Sequence, residues 1–464
     1  MSTAERVTSR DERIARGRAA RAEIRRRDHG EWEPAADRAD PIELLERQGR
    51  DRIAELLPLR YERMSASPFT FFRGSAAVMA ADLARTPVSG ERVQLCGDAH
   101  LANFGGFGAP DRTIVFDLND FDETLPGPWE WDVKRLAASI VLAARDRGFD
   151  SDEQAAAVHA AVGAYRRAIR DFAGQSHLDV WYARLNADSV IEEWRSRVPR
   201  AQMRTFERNV EKARSKTSMK AVARLTERVD GELRIAADPP LIVPIEDELP
   251  EGAGTGPEIE QLVRGILSGY AASLTGATRR LLERYHYVHA ARKVVGVGSV
   301  GTRAWIALLI GDDERDPLFL QLKEANASVV EPFAGASRFN RHGRRVVEGQ
   351  WLMQAASDIC LGWVSVDDPD GNRRDFYVRQ LWDWKRSADL ERIVPAGLSA
   401  YGQMCGWTLA RAHARSGDAL AIGAYLGGGD AFERAIARFA ATYSDQTERD
   451  HAALVAHLAA PVRQ

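Results

Sequence analysis

The apolar positions of this chain change their period twice. From Met1 to about Arg63, arginines and carboxylates alternate around Leu44, Leu45, Ile53, Leu56 and Leu57, a spacing that predicts exposed helices interrupted near Pro34 and Pro41. Asp132–Arg147 and Asp152–Phe172 carry a strong helical period with few breakers, and Asp179–Arg228 continues it, with the basic segment Lys212–Lys220 on a solvated face. Gly231–Gly256 contains Pro239, Pro240, Pro244 and Pro250 and predicts a short hairpin and a loop. After a helix over Pro257–Tyr285 the period falls to two. Lys293–Val300 and Arg303–Ile310 read as strands joined through Gly301. Pro317–Lys323 is a third, with Phe319, Gln321 and Lys323 on one face and Leu318, Leu320 and Leu322 on the other. A helix over Gly343–Cys360 and strands near Trp363–Val366 and Asp375–Leu381, with a turn at 367–372 between them, complete this block. Ser399–Ala459 is helical again. No solenoid-type repeat is visible.

Composition narrows what such a chain can be. Its 464 residues allow two or three domains of ~100–200 residues, and 45% apolar with 28% charged residues describes a globular protein with a sizeable core. The net charge of −3 lacks the basic excess that counterion release requires, which argues against dedicated nucleic-acid binding. Cys96, Cys360 and Cys405 are too few and too scattered for a disulfide framework or a four-cysteine zinc site, so a reducing compartment is expected. Met1–Arg27 has no apolar core region, and the longest apolar run, Ala137–Ala144, falls short of the ~18–20 residues that span a bilayer. The expectation is a cytoplasmic protein without a membrane partner, its oligomeric state open.

Candidate chemistry concentrates in Cys96–Phe104 and Phe116–Glu123, where carboxylates and an amide converge at loop ends beside strands. Magnesium takes oxygen ligands and commonly only one or two carboxylates, with substrate phosphates completing the shell. Asp120 with Asp117 or Asp122, together with Asn103, could hold the metal and leave Asp98 to accept a proton, a set suited to phosphoryl transfer. Asp and Asn also favour turns and caps, but that accounts poorly for so many at once.

Gly97-Asp98-x-His100-x-x-Asn103, then Asp120-Phe121, then Trp131-Asp132-x-x-x-Leu136-Ala137, resembles the catalytic loop, metal-binding Asp and following helix of aminoglycoside and choline kinase-type phosphotransferases, members of the protein-kinase-like superfamily. Asp117 lies nearer the spacing of that family, whereas Asp120 has the following Phe and the right distance to Asp132. Over most of its length the chain also resembles DUF2252, a bacterial family of uncharacterised proteins, through SPFTFFRG at Ser67–Gly74, the CGDAHLANFG loop and the FDLNDFDET run.

The resemblance implies a small α+β lobe over the ATP phosphates. Gly296-Val297-Gly298-Ser299-Val300-Gly301 lies between two strands, and Lys323 ends the next one. Gly296, Gly298, Ser299 and Gly301 would approach the phosphates, Lys323 would pair with them, and Glu348 of the following helix is the candidate partner for Lys323 ahead of Glu324 and Glu331. Tyr377–Trp384 would form the hinge beneath the adenine, with Trp382 or Trp384 lining it. The catalytic loop precedes the glycine loop, the reverse of the usual kinase order. In aminoglycoside kinase-like proteins a Leu-Ala-x-x-His-Ala helix comes just before the catalytic loop, and here Leu409–Ala414 carries that pattern near the other end. The order is restored if residues 290–464 are placed before 46–290, so a circularly permuted two-lobed kinase-like fold is expected. It comprises an N-terminal helical extension 1–45, a large helical lobe 46–290, a small β-rich nucleotide-binding lobe 291–390 and C-terminal helices 391–464 that complete the large lobe. The implied activity is ATP- and Mg²⁺-dependent phosphoryl transfer to a hydroxyl of an unknown acceptor, for which the resemblance favours a small molecule, with Asp98 as base and His100 orienting it.

Other readings stay open. A non-catalytic nucleotide-binding pseudokinase would keep the fold. The same glycine pattern fits a Rossmann NAD(P) turn if Thr302–Ile310 is a helix and Asp316 serves as the acid ~20 residues on. A two-metal phosphatase lacks its further Asp-x-His and Asn-His elements, and Gly-x-Ser-x-Gly is absent. Glu283, His286 and His289 would share a helical face as metal ligands, but a strand would separate the two histidines. Arg73 stands beside an apolar run and contacts either phosphate or a structural carboxylate. His413 reads as a packed, hydrogen-bonded histidine, and Trp129 and Trp131 as core.

Overall fold

Alternation closes the period-two block into one antiparallel sheet, ordered Gly362–Asp367, Arg373–Gln380, Pro317–Glu324, Ala304–Ile310, His286–Lys293 and Ile242–Pro244. The computed structural model describes residues 8–188, 218–248, 256–367, 371–381 and 388–460, with positions 204, 207, 208 and 211. Residues 212–217 of the basic segment, residues 368–370 of the turn expected at 367–372, and Trp382 and Trp384 lie outside the described residues. Pro317–Glu324 is buried along its whole length because both faces of the sheet are covered. Leu318, Leu320 and Leu322 pack with Tyr270 and Leu274 on one side, and Phe319 with Ala221 and Leu225 on the other.

Two expectations shift here. The first long strand is His286–Lys293, and the rest of the expected strand, Val294–Val300, is loop, because its glycines favour turns over a ladder. The helix expected over Pro257–Tyr285 is two, Gly256–Ala271 and Gly276–Leu282, the second capped by the Thr275 side chain. Both helices border the sheet, as do Ser218–Leu225 and the hairpin Thr226–Val229/Glu232–Ile235. The sheet therefore gathers its cover from residue 218 onward, well before the boundary at 291, since a two-faced sheet needs apolar layers that its own strands cannot supply.

The helical core draws on both ends of the sequence. Trp129–Asp146, Ser151–Phe172, Pro395–Ser416 and Ala431–Ala459 share it. Asp150 starts the second of these with a capping box to Glu153. The chain's first described helix, Arg10–Glu23, lies on Ala419–Leu426, where Arg13 Nε donates to Asp418 at 2.7 Å. Pro395–Ser416 ends against the strand Arg92–Leu95, the Gln94 amide donating to Ser416 Oγ at 3.1 Å. The outcome is an α+β protein with a helical core and a main antiparallel sheet. Among the described residues no helix is long and apolar enough to cross a membrane.

Candidate active site

The loop after Arg92–Leu95 turns at Gly97, whose φ of +80° and contact with the Glu123 carbonyl leave no room for a Cβ. The Cys96 and Gly97 amides donate to the Asp132 carboxylate at 2.7 and 3.0 Å, in the first turn of Trp129–Asp146. His413 Nε2 stands 3.2 Å from Asp132 and its Nδ1 2.9 Å from the Tyr165 hydroxyl. His413 is thus packed and hydrogen-bonded as expected, and this buried chain clamps the loop.

Asp98 follows, 19% exposed. Arg135, one turn beyond Asp132, donates from Nε to Asp98 Oδ1 at 2.7 Å, and its Nη2 donates to the Phe72 carbonyl at 2.8 Å while its guanidinium covers the Phe72 ring. His100 Nε2 lies 3.7 Å from Asp98 Oδ2. Burial pulls the His100 pKa down to about 4, against the charge of Asp98, so the ring is neutral at pH 7 and orients without adding charge. Asn103 Nδ2 donates to the Asp98 carbonyl at 2.8 Å, and the Asn119 amide donates to the Asn103 carbonyl at 2.8 Å, which brings the two polar loops together.

The three acids of the second loop have different fates. Asp117 is buried and taken by Arg411 Nη2 at 2.6 and 2.7 Å and by the Ala355 amide at 2.8 Å. Its burial against Arg411 sets it apart from the two partly exposed acids that follow. Asp120 and Asp122 are 29% and 26% exposed. Lys323 Nζ lies 3.5 Å from Asp120 Oδ2 and contacts Asp122 Oδ2 directly, across 201 residues of sequence. The Tyr377 hydroxyl donates to Asp122 Oδ1 at 2.8 Å, and Arg379 Nη1 to the Asn119 carbonyl at 3.1 Å. Tyr377 is the register partner of Lys323, and Arg379 of Gln321, so one sheet face meets the acids. Burial, then Asp120, pushes the Asp122 carboxyl up, while Lys323 holds it down. Burial disfavours the Lys323 ammonium, but Asp120 and Asp122 more than offset this and raise its pKa.

Glu348 does not reach Lys323. The helix His342–Met353 turns Arg345, Val346, Gly349, Gln350 and Met353 inward, and Glu348 falls outside that stripe, where Arg344 Nε binds it at 3.2 Å. Arg345 enters the site instead, donating to the carbonyls of Asp122, Thr124 and Asn326 at 2.7, 2.7 and 2.8 Å.

The glycine loop, residues 296–301, lies on the segment that precedes the Cys96–Phe104 loop. Gly296 and Gly301 both have positive φ. Arg63 donates to the Gly296 carbonyl at 2.6 Å, Arg52 to that of Val300 at 2.5 Å, and the Ile53 amide to that of Gly301 at 2.8 Å. Ser299 closes a turn by accepting from Thr302. Gly298 lies so close to the Arg73 carbonyl that a Cβ would stand 2.8 Å from it. Arg52 feels Glu123 and Asp122, and Arg73 feels Asp98, so the loop and both acidic segments share one corner of the molecule.

Elsewhere the candidates resolve simply. The glycine loop is followed by the strand Ala304–Ile310 and not by a helix, and Asp316 accepts from the Tyr285 hydroxyl at 2.9 Å. His286 and His289 lie on a strand, and His289 sits between the Ile235 amide and Glu246. No cluster of three His, Cys, Asp or Glu side chains placed to hold a metal occurs among the described residues. Burial raises the Cys96 thiol well above its ordinary pKa, which leaves it inert as a nucleophile. Trp129 and Trp131 are core.

Arg135 and Arg345 were not anticipated, and Tyr377 and Arg379 were expected only as part of a hinge, not as partners of Asp122 and Asn119. Arg135 at i+3 from Asp132, and Tyr377 and Arg379 alternating on one strand, could have been found from periodicity. Arg52 and Arg63 could not, since only long-range docking brings them to the loop. Neither a curated protein nor a solved structure matches the chain. Residues 52–457 match the family described as an uncharacterized protein conserved in bacteria, DUF2252, a span that holds every residue of this corner from Arg52 onward, and the chain belongs to that family.

Proposed function

We propose that this corner is the active site of an ATP- and Mg²⁺-dependent phosphotransferase with a circularly permuted kinase-like fold. The observation that carries the proposal is the meeting of Lys323 with Asp120 and Asp122, because a strand-borne lysine beside metal-binding acids is what phosphate positioning requires. The succession of strand, glycine loop, strand, Lys strand, helix, strand, strand in one antiparallel sheet supports it. So does the Leu409–Ala414 helix, whose His413 braces Asp132 behind the catalytic loop.

Asp120 and Asp122 are side by side and partly exposed, and the upward push on Asp122 comes first from burial and then from the like charge of Asp120, a repulsion that an oxygen-seeking dication would relieve. The donor set therefore fits Mg²⁺, with Asn103 as a further ligand and nucleotide phosphate completing the shell. When bound, the ion would neutralise charge on the phosphates. Asp98, held by Arg135, would orient an acceptor hydroxyl and take its proton, with neutral His100 beside it. Lys323 would pair with the α/β-phosphates, and residues 296–301 would cover them. Most of the rate enhancement then comes from positioning and electrostatics. The acceptor is a small molecule bearing a hydroxyl group.

A pseudokinase has one observation in its favour: Lys323 is engaged by the acids, and Glu348 is turned away. A Rossmann enzyme lacks the helix its glycine loop needs. A thermal-shift panel with ATP, ADP, NAD and NADP, with and without Mg²⁺, separates the three. The expected result is stabilisation by Mg·ATP and not by NAD(P). Asp98→Asn is expected to lower ATP turnover by about 10²–10⁴-fold with little change in Mg·ATP affinity. Turnover equal to wild type would refute the assignment, and the mass of the product distinguishes phosphoryl from AMP transfer.

A further inference from the structure

Arg73 occupies the last turn of the helix Pro68–Gly74, which Ser67 and Thr70 cap reciprocally. Its position is tied to Asp98 at one remove: Arg135 donates both to Asp98 and to the carbonyl of Phe72, the residue before Arg73. It is tied to the glycine loop directly, since Gly298 rests on its own carbonyl. The buried arginines around it each hold at least one partner, Arg60 the Gln48 side chain and the Gly74 carbonyl, although Arg60, Arg345 and Arg411 also keep a nitrogen without one. Arg135 and Arg411 each hold a carboxylate and Arg345 holds three carbonyls. Arg73 has no hydrogen-bond or ion-pair partner among the described residues, and its Nε is sealed from solvent with no acceptor. Burial lowers its pKa, and the charge that works against this is that of Asp98. A half-buried guanidinium left unpaired is costly unless an anion completes it. Lys323, the lysine of the site, is already balanced by Asp120 and Asp122.

We propose that Arg73 binds the terminal phosphate of the nucleotide, its planar fork donating to the non-bridging oxygens between the glycine loop and Asp98. The assignment rests on the phosphotransferase reading and adds to it a residue on the far side of the transferred group from Lys323. A guanidinium suits that role because it offers two parallel N–H donors to a phosphate and stays charged where an ammonium would not. Its charge also lies beside the carboxylate that faces the acceptor, where negative charge builds during transfer.

The test is calorimetric titration of Mg·ATP and Mg·ADP into wild type, Arg73→Ala and Arg73→Lys. Charge-assisted hydrogen bonds to one phosphate give wild type an expected preference for Mg·ATP over Mg·ADP of about tenfold or more. In Arg73→Ala that preference collapses towards one, while Mg·ADP binds as in wild type and so reports an intact fold. Arg73→Lys keeps part of it, having the charge but not the fork. If Arg73→Ala proves unstable, Arg73→Gln retains the packing of the stem and gives the same comparison. A preference for Mg·ATP that survives in Arg73→Ala, or that is missing from wild type, overturns the role of Arg73 and leaves the phosphotransferase standing. If wild type binds neither nucleotide, the phosphotransferase falls and Arg73 with it.

Discussion

Asp122 and Glu123 are neighbours with opposite electrostatic solutions. Asp122 has Lys323 and Tyr377. Glu123 has one amide, that of Val329, donating to Oε2 at 2.7 Å. Burial, against that hydrogen bond, pushes its carboxyl up to about 7 from 4.5. The folded protein therefore keeps the Glu123 proton up to about pH 7, whereas the unfolded chain releases it near 4.5, so stability falls as pH rises through that window. Glu123→Gln can still accept from Val329 and removes the loss. The variant is expected to match or fall below wild type at pH 5 and to exceed it at pH 8, by on the order of 1–3 kcal/mol. Thermal denaturation at the two pH values checks this, and an unchanged difference between them would refute it. At this scale the sequence picked out residues by type and neighbourhood, and it was a poor guide to how the acids divide between core and cleft. Asp98, Asn103, Asp120 and Lys323 could be picked out because their types and neighbours suit phosphate work. Which of Asp117, Asp120 and Asp122 would be swallowed by the core depended on Arg411, 294 residues away, and no local pattern carries that.

Pro395–Ser416 is the element that settles the allocation. Its Arg411 enters the site region beneath Asp117, and two residues later His413 meets Asp132. One helix thus fixes both polar loops, and the Asp117–Arg411 pair is the tie to the second. Removing one partner leaves a buried charge uncompensated. Asp117→Ala is expected to cost roughly 3–5 kcal/mol in denaturant unfolding, while Mg·ATP affinity of the folded fraction stays near that of wild type. Loss of affinity without loss of stability would instead make Asp117 a ligand. Helices such as Trp129–Asp146 and Ser151–Phe172 were legible to within a few residues, because their period is long and the second has a strong cap in Asp150. The strand His286–Lys293 was not. Its apolar residues continue into Val294 and Val297, and only the positive φ of Gly296 and the docking of the loop on Arg63 break the run.

At the scale of the whole molecule, the surprise in the sequence was order: acids at 120–122, glycine loop at 296–301. Contact does not require continuity, and Lys323 joins the sheet to the helical core through those acids. This one side chain is therefore both a proposed phosphate ligand and an electrostatic rivet between the parts. Lys323→Met keeps the stem and deletes the charge, leaving Asp120 and Asp122 to repel each other. In the presence of a chelator the variant is expected to melt a few degrees below wild type, since each kcal/mol lost shifts Tm by about 1 °C in a chain of this length. If the two carboxylates are a Mg²⁺ site, adding the ion should recover more stability in Lys323→Met than in wild type, where the ammonium already balances the pair. Glu348→Gln is the matched control. Its carboxylate meets only the exposed Arg344, a pair worth ~0.3–0.5 kcal/mol, so neither Tm nor its response to Mg²⁺ should move. A Lys323→Met melting curve indifferent to Mg²⁺ would mean that the acids exist to hold the lysine. The meeting of sheet and core would then be architecture without a metal.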